Sequence, residues 1–204
     1  MRSPAENGRV STDWQQHYDS NDIPWEKGRP HPALVEFLQR KPIRGQVLVP
    51  GCGTGHDVRA IAATADEVVG VDIAPGAIRA AQSQGEIGGE RYVTGDLFAL
   101  PASFREAFDV VFEHTCFCAI PLERRADYVR AVAGALRPGG SLLAIFYLNP
   151  DMDPGESGPP FGVEKAELDR LFGADFTLLG EWVPAETFEG REDRELFRWL
   201  VRHE

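Results

Sequence analysis

Positive charge is scarce in this 204-residue sequence: 21 lysines and arginines stand against 32 aspartates and glutamates, a formal net charge of -11. A nucleic-acid partner wants a basic face, so the balance argues against one. Cysteine is scarce too. Cys52, Cys116 and Cys118 are odd in number and lack a framework spacing, which fits a reducing cytoplasm. No second Cys or His pair completes a zinc set around Cys116-Phe-Cys118, so no metal is expected. No apolar run approaches a membrane span, and the N-terminus has no signal-peptide pattern, so neither a membrane partner nor a leader is expected. No internal repeat or low-complexity tract appears. The remaining composition is that of an ordinary soluble domain, and the length suits one domain over residues 1–204, monomeric or weakly dimeric.

Residues 1–12 are polar and aperiodic and read as a loose arm. The following DWQQHYDSNDIPWEKGRPHP sets two Trp and a Tyr among turn formers and three prolines, an ordered segment without a core periodicity of its own. Residues 1–30 are therefore expected as an arm with an aromatic lid, and residues 31–204 as the core. PALVEFLQR reads as a short amphipathic helix. Strands and helices then alternate: QVLVP, HDVRAIAATA, EVVGVDI, PGAIRAAQSQ, RYVTGDL, FDVVFEHT, LERRADYVRAVAGAL and SLLAIFYL. The long helix is expected to stop at RPGG, a Pro/Gly terminator. NPDMDPGESGPPFG is a turn-rich loop, VEKAELDRLFG a helix, and DFTLLGEWV and RELFRWLVRH two strands with no helix between them. The alternation predicts an α/β, doubly wound, mostly parallel sheet with helices on both faces. The closing pair predicts an antiparallel hairpin at one edge.

In such a sheet a ligand lies beyond the carboxyl ends of the strands, at the switch point. The first strand-to-helix turn carries Gly51, Gly53 and Gly55, a backbone bare enough for a ligand to lie against. The third glycine of G-x-G-x-x-G would fall at His56, so the nicotinamide fingerprint fails. Asp72 ends the second strand, followed by Ile73, where a carboxylate can accept from both hydroxyls of a ribose. Asp96 follows the third strand, placed to accept from an adenine amino group with Leu97 and Phe98 against the ring.

Taken in order, WQQHYDSNDIPWEKGRPHP, LVPGCGTGHDV, GVDIAPGAI, FDVVFEHTCFCAIP, LRPGG and GPPF resemble the thiol and halide methyltransferases of the thiopurine S-methyltransferase superfamily, over roughly residues 14–163. The resemblance implies the class I methyltransferase fold, Rossmann-like and seven-stranded, and S-adenosylmethionine as cofactor. It implies cofactor contacts from Trp14, Tyr18, Trp25, Gly51, Asp72, the Asp96–Leu97 pair, Glu113 and His114. Pro50 also stands where the relatives have proline. The departures from plant relatives are Tyr18 in place of Trp, His114 in place of Tyr, Glu113 in place of Asp and Phe161 in place of Tyr. The N-terminal aromatics have a physical use of their own, because an aromatic face attracts a sulfonium cation.

The implied reaction is methyl transfer to a small soft nucleophile, a thiol, bisulfide or halide, by in-line displacement. Its acceptor is a small molecule, and Phe117, Ile120, Tyr147 and Phe161 are the expected walls of the pocket. A thiol with a pKa of about 8.5 is partly ionised at neutral pH and needs little general base. That suits a sequence with no evident catalytic dyad. His114 is the candidate if a base exists; His17, His31, His56 and His203 stand in no usable constellation. NPDM follows the fifth strand rather than the fourth and lacks the aromatic of an amino methyltransferase motif. Two alternatives stay open: an oxygen or nitrogen acceptor served by His114, and a non-catalytic sensor of S-adenosylmethionine.

Overall fold

The computed structural model describes residues 12–152 and 158–204. The expected arm lies outside them except for Thr12, as do residues 153–157 of the turn-rich loop. The strands are β1 (Gln46–Pro50), β2 (Glu67–Asp72), β3 (Glu90–Thr94), β4 (Phe108–His114), β5 (Leu136–Tyr147), β6 (Phe176–Trp182) and β7 (Glu195–Arg202). They form one seven-stranded sheet in the order β3-β2-β1-β4-β5-β7-β6. The first five strands run parallel, and β7 is antiparallel to both β5 and β6. This is the expected mostly parallel sheet with its closing hairpin, β6 forming the edge.

Alternation along each strand sends side chains to two cores. Leu48 of β1 and Leu142, Ala144 and Phe146 of β5 pack with α5 (Arg125–Ala135) and α6 (Lys165–Phe172). Val47, Val49, Leu143 and Ile145 pack on the other face with α2 (Pro32–Arg40) and α3 (His56–Ala62). Burying each such aliphatic side chain contributes about 1.5–3 kcal/mol. With both faces covered, only the strand tips are left to hold a ligand. The chain runs from β1 outward to β3, then returns to place β4 against the other side of β1. The tips of β1 and β4 therefore flank the switch point.

Two elements differ from expectation. Residues 14–20 form a helix, α1 (Trp14–Ser20), capped by Asp13, whose side chain accepts from the Gln16 N–H at 3.1 Å. Its apolar stripe is Trp14, His17 and Tyr18, and a seven-residue helix is too short for periodicity to declare itself. RPGG does not stop α5 from outside a strand. It lies within β5, because Leu136 already pairs with Phe108 and the register then shifts before Val110 meets Ser141. Gly139, at φ 74°, lies in that irregular stretch. Among the described residues no helix is long and apolar enough to cross a membrane.

Candidate active site

The turn after β1 has a backbone that glycine alone adopts easily: φ is 58° at Gly51, 53° at Gly53 and 84° at Gly55. A Cβ on Gly51 would lie 2.8 Å from Cys116 Cβ, so the first glycine lets the β1 and β4 tips touch. A Cβ on Gly55 would meet the Tyr92 hydroxyl at 2.8 Å. Gly55 therefore serves packing against β3 and does not line the cleft, unlike Gly51 and Gly53.

Asp72, 9 % exposed, sits at the tip of β2. Its Oδ2 accepts from the Gly53 N–H at 2.9 Å and its Oδ1 from the Ala74 N–H at 2.9 Å. Burial raises its pKa, and the backbone N–H groups oppose that rise. Each oxygen keeps a second lone pair for a ligand. Asp96 is exposed and caps the turn Leu97–Ala99, accepting from the Phe98 N–H at 2.8 Å. Ile73, 55 % exposed, completes this end with Leu97 and Phe98. Arg124, which spacing did not single out, lies 3.9 Å over the Phe98 ring.

The N-terminal segment closes over the glycine turn. Trp25 packs edge-on against Trp14 at 5.4 Å and against Tyr18 at 6.1 Å. Gln15 accepts from the Gly76 N–H at 2.7 Å, docking α1 onto α4 (Pro75–Ser83). Glu26 ties the segment to the turn itself: its carboxylate accepts a hydrogen bond from the Thr54 hydroxyl and lies 3.1 Å from His56 Nε2. All three aromatics line a cleft of about 1270 Å³, together with Asp72, Ile73, Asp96, His114, Ile120, Tyr147 and Phe161.

Besides Gly55, two expected site residues lie outside the cleft wall. Glu113 is 1 % exposed and absent from the cleft wall. Its Oε1 accepts from the N–H groups of Cys116 (3.1 Å) and Phe117 (2.7 Å), and Tyr128 donates to its Oε2. Burial pushes its pKa up to about 6 against those hydrogen bonds. It holds the loop after β4 from behind. Phe117, 1 % exposed, opens the short 3-10 turn Phe117–Ala119 after β4 and packs among Tyr128, Phe146 and Phe172 in the core. Between them Thr115 turns the chain at φ 62°, a costly conformation for a β-branched residue, and brings Cys116 to Gly51.

His114 is part of a constellation that spacing did not reveal. Its Nδ1 lies 2.8 Å from Asp57 Oδ2, and Asp57 Oδ1 accepts from the His31 N–H at 2.8 Å. Burial would raise the Asp57 pKa, but the charge of His114 and hydrogen bonds from His114 and His31 hold it below the usual carboxylate range. The His31 ring meets His114 edge to face at 4.7 Å, and Phe188 stacks over His114 at 6.0 Å. His31 Nε2 lies 2.8 Å from Glu195, which also receives the Thr187 hydroxyl and the Arg191 guanidinium. Burial works against ionised Glu195, yet His31 and Thr187 outweigh it and hold its pKa at about 2. Phe188 and Arg191 come from the connection between β6 and β7, where nothing in the sequence pattern marked a site. Asp57 was visible only as the second residue after Gly55.

Ligand atoms of His31, His114 and Glu195 lie within 4.8 Å of one another, a spacing compatible with a cation. The hydrogen bonds favour another state. The Ala33 N–H donates to His31 Nδ1 at 3.1 Å, so Nε2 carries the ring proton and gives it to Glu195. A metal on that nitrogen would have to displace the proton and break the hydrogen bond to Glu195.

Comparison with known proteins follows the same lines. A thiocyanate methyltransferase from Brassica oleracea is 35 % identical over 155 residues, covering 74 % of this chain and 66 % of its own length. A thiopurine S-methyltransferase from Vibrio atlanticus is 30 % identical over 188 residues, with 82 % and 84 % covered. The crystal structure of a 1,6-didemethyltoxoflavin N1-methyltransferase from Burkholderia thailandensis, with S-adenosylhomocysteine bound, superimposes with a TM-score of 0.71 at 19 % identity, covering 100 % of this chain and 94 % of that one. At that identity the likeness establishes the class I methyltransferase fold. A sequence model of the thiopurine S-methyltransferase family matches residues 9–189, and with these relatives it establishes that the chain belongs to that family.

Proposed function

We propose that this protein is a cytoplasmic S-adenosylmethionine-dependent methyltransferase whose acceptor is a small soft nucleophile: a thiol, bisulfide or halide. The observation that carries the cofactor is the pairing of a bare glycine turn with Asp72, held by Gly53 and Ala74 and set in the wall of the cleft. Asp72 would take the ribose hydroxyls, and Asp96 with Leu97, Phe98 and Ile73 would take the adenine. Trp14, Tyr18 and Trp25 would lie over the sulfonium, with residues 12–30 acting as a lid on the core. When bound, S-adenosylmethionine supplies an activated methyl group on a cationic sulfur.

The work left to the protein is to align the nucleophile and exclude water. Alignment of two bound reactants supplies roughly 7–11 kcal/mol of such a barrier. Ile120, Tyr147, Phe161 and Phe188 wall the acceptor end of the cleft, a surface that strips water from a polarizable anion and offers little to a strongly hydrated one. The Phe161 backbone is fixed there: its N–H donates to the Cys118 carbonyl at 2.6 Å, and buried Arg125 donates to the Phe161 carbonyl at 3.2 Å. The names of the curated relatives, thiocyanate, thiol and thiopurine methyltransferases, support the same class of acceptor.

The test is incubation with S-adenosylmethionine and a panel of thiols, bisulfide, halides, phenols and amines, with S-adenosylhomocysteine measured. Release with the sulfur and halide acceptors is expected. Release confined to phenols or amines would replace the acceptor, and binding without release would make the protein a sensor.

A further inference from the structure

We infer that Asp57 and His114 form a carboxylate–imidazole dyad that removes the proton of a neutral thiol acceptor as its sulfur is methylated, with Asp57 as the positioning residue. The inference rests on the methyl-transfer function proposed above and adds a base to it. Asp57 Oδ2 can only accept, so the His114 nitrogen 2.8 Å away, Nδ1, carries the ring proton. Nε2 is then the basic nitrogen. It is buried and has no hydrogen-bond partner among the described residues. Asp57 occupies one edge of the ring, Phe188 a face, and His31 packs against it edge-on. The ring forms part of the cleft wall, so the cleft is where a partner for Nε2 would come from.

Asp57 is itself held in place. The His31 N–H at 2.8 Å fixes its second oxygen, and His31 is fully buried as the N-cap of α2. The carboxylate cannot swing away from the imidazole without breaking that bond. The second His–carboxylate pair, His31 with Glu195, is already satisfied by Ala33, Thr187 and Arg191, so it has no spare acceptor to offer a substrate proton. Of these two paired histidines, His114 is the one with an unused basic nitrogen among the described residues.

The step balances. The thiol S–H bond breaks and its proton passes to His114 Nε2. A sulfur electron pair forms the new S–CH₃ bond as the methyl group leaves the sulfonium, whose bonding pair stays on the departing sulfur. One positive charge is thus carried from the sulfonium to the imidazolium, beside the Asp57 carboxylate. The imidazolium then gives its proton to solvent. The charged and titratable groups that face His114 are Asp57 from α3, His31 from the start of α2, Glu195 from β7, and Glu113 from β4 itself.

Three measurements test this. In the ligand-free protein, imidazole nitrogen NMR should find neutral His114 protonated on Nδ1, and Asp57→Asn should shift the proton toward Nε2. A wild-type tautomer protonated on Nε2 overturns the dyad, because that nitrogen could not accept. With wild type alone, the acid limb of kcat/KM should have the same midpoint for two thiols of different acidity, since one imidazole sets it. A midpoint that follows each thiol's own pKa overturns it too, and this measurement needs no variant. Finally, iodide brings no proton, so the thiol-to-iodide rate ratio below neutral pH should fall about 10²-fold in His114→Gln. The deficit should shrink as pH rises toward the thiol pKa. A ratio unchanged at every pH would make His114 a packing residue while leaving the soft-nucleophile function intact. Wild type that turns over neither iodide nor thiols defeats that function and the dyad with it.

Discussion

Replacing Asp72 by Asn should weaken cofactor binding about 10²–10⁴-fold while leaving the fold in place. In the structure each Asp72 oxygen already accepts one backbone N–H, from Gly53 and Ala74, both at 2.9 Å. Two lone pairs remain for ribose hydroxyls. An Asn has one acceptor oxygen, and its NH₂ would face one of those N–H groups, donor against donor. Two charge-assisted hydrogen bonds to the ribose are lost, at about 1.5–3 kcal/mol each. The sum, about 3–6 kcal/mol, gives the stated range at roughly 1.4 kcal/mol per decade. Asp96→Asn makes the contrast. Asp96 is exposed, and Asn keeps an oxygen for the Phe98 N–H, so the expected loss is under about tenfold. Calorimetry with S-adenosylhomocysteine measures both. A parallel melt without cofactor separates local loss of stability from loss of affinity, since ligand stabilisation scales with occupancy. Wild-type affinity in Asp72→Asn would refute the placement of the ribose at the β2 tip.

The remaining expectations concern the lid and acid stability. Glu26→Ala removes the carboxylate that holds Thr54 and His56, so limited proteolysis within residues 13–30 should be several-fold faster in the ligand-free protein; an unchanged rate would show that Gln15 and the aromatics hold the segment alone. Glu195 has its pKa held at about 2 against an ordinary 4.5, so its contribution is present above about 4.5 and lost as pH falls toward 2. That difference amounts to about 3 kcal/mol, and urea unfolding across the window should show an acid limb that Glu195→Gln flattens. An identical limb in the variant would place the acid sensitivity elsewhere.

The sheet was legible because its cause is local. β1, β2 and β4 are short apolar runs bounded by turn formers, and Pro75 opens α4 as its first residue. The proposed cofactor end of the cleft was legible for a related reason. In a parallel sheet the strand tips share one edge, so Gly51, Asp72 and Asp96 can be placed together from their positions after successive strands. The proposed acceptor end was not. Phe117 sits one residue from Cys116, yet it enters the core while Cys116 lines the cleft, and only the turn at Thr115 decides which. Glu113 is identifiable as an acid before His114, but strand alternation turns it to the back of the loop. The His114 constellation draws on α3, the start of α2, β7 and the β6–β7 connection, and no sequence spacing joins residues 31, 57, 114, 188 and 195. No pairing of Asp57 with His114 was evident in the sequence for that reason.

The most direct test follows the methyl group itself. The protein would be incubated with methyl-labelled S-adenosylmethionine and iodide, or an aliphatic thiol, and the label sought in volatile methyl iodide or the methyl thioether. We expect stoichiometric appearance of labelled product and S-adenosylhomocysteine, with loss of both in Asp72→Asn at cofactor levels that saturate the wild type. Cofactor that binds in the cleft while the label stays on it, with every thiol and halide offered, would contradict the account.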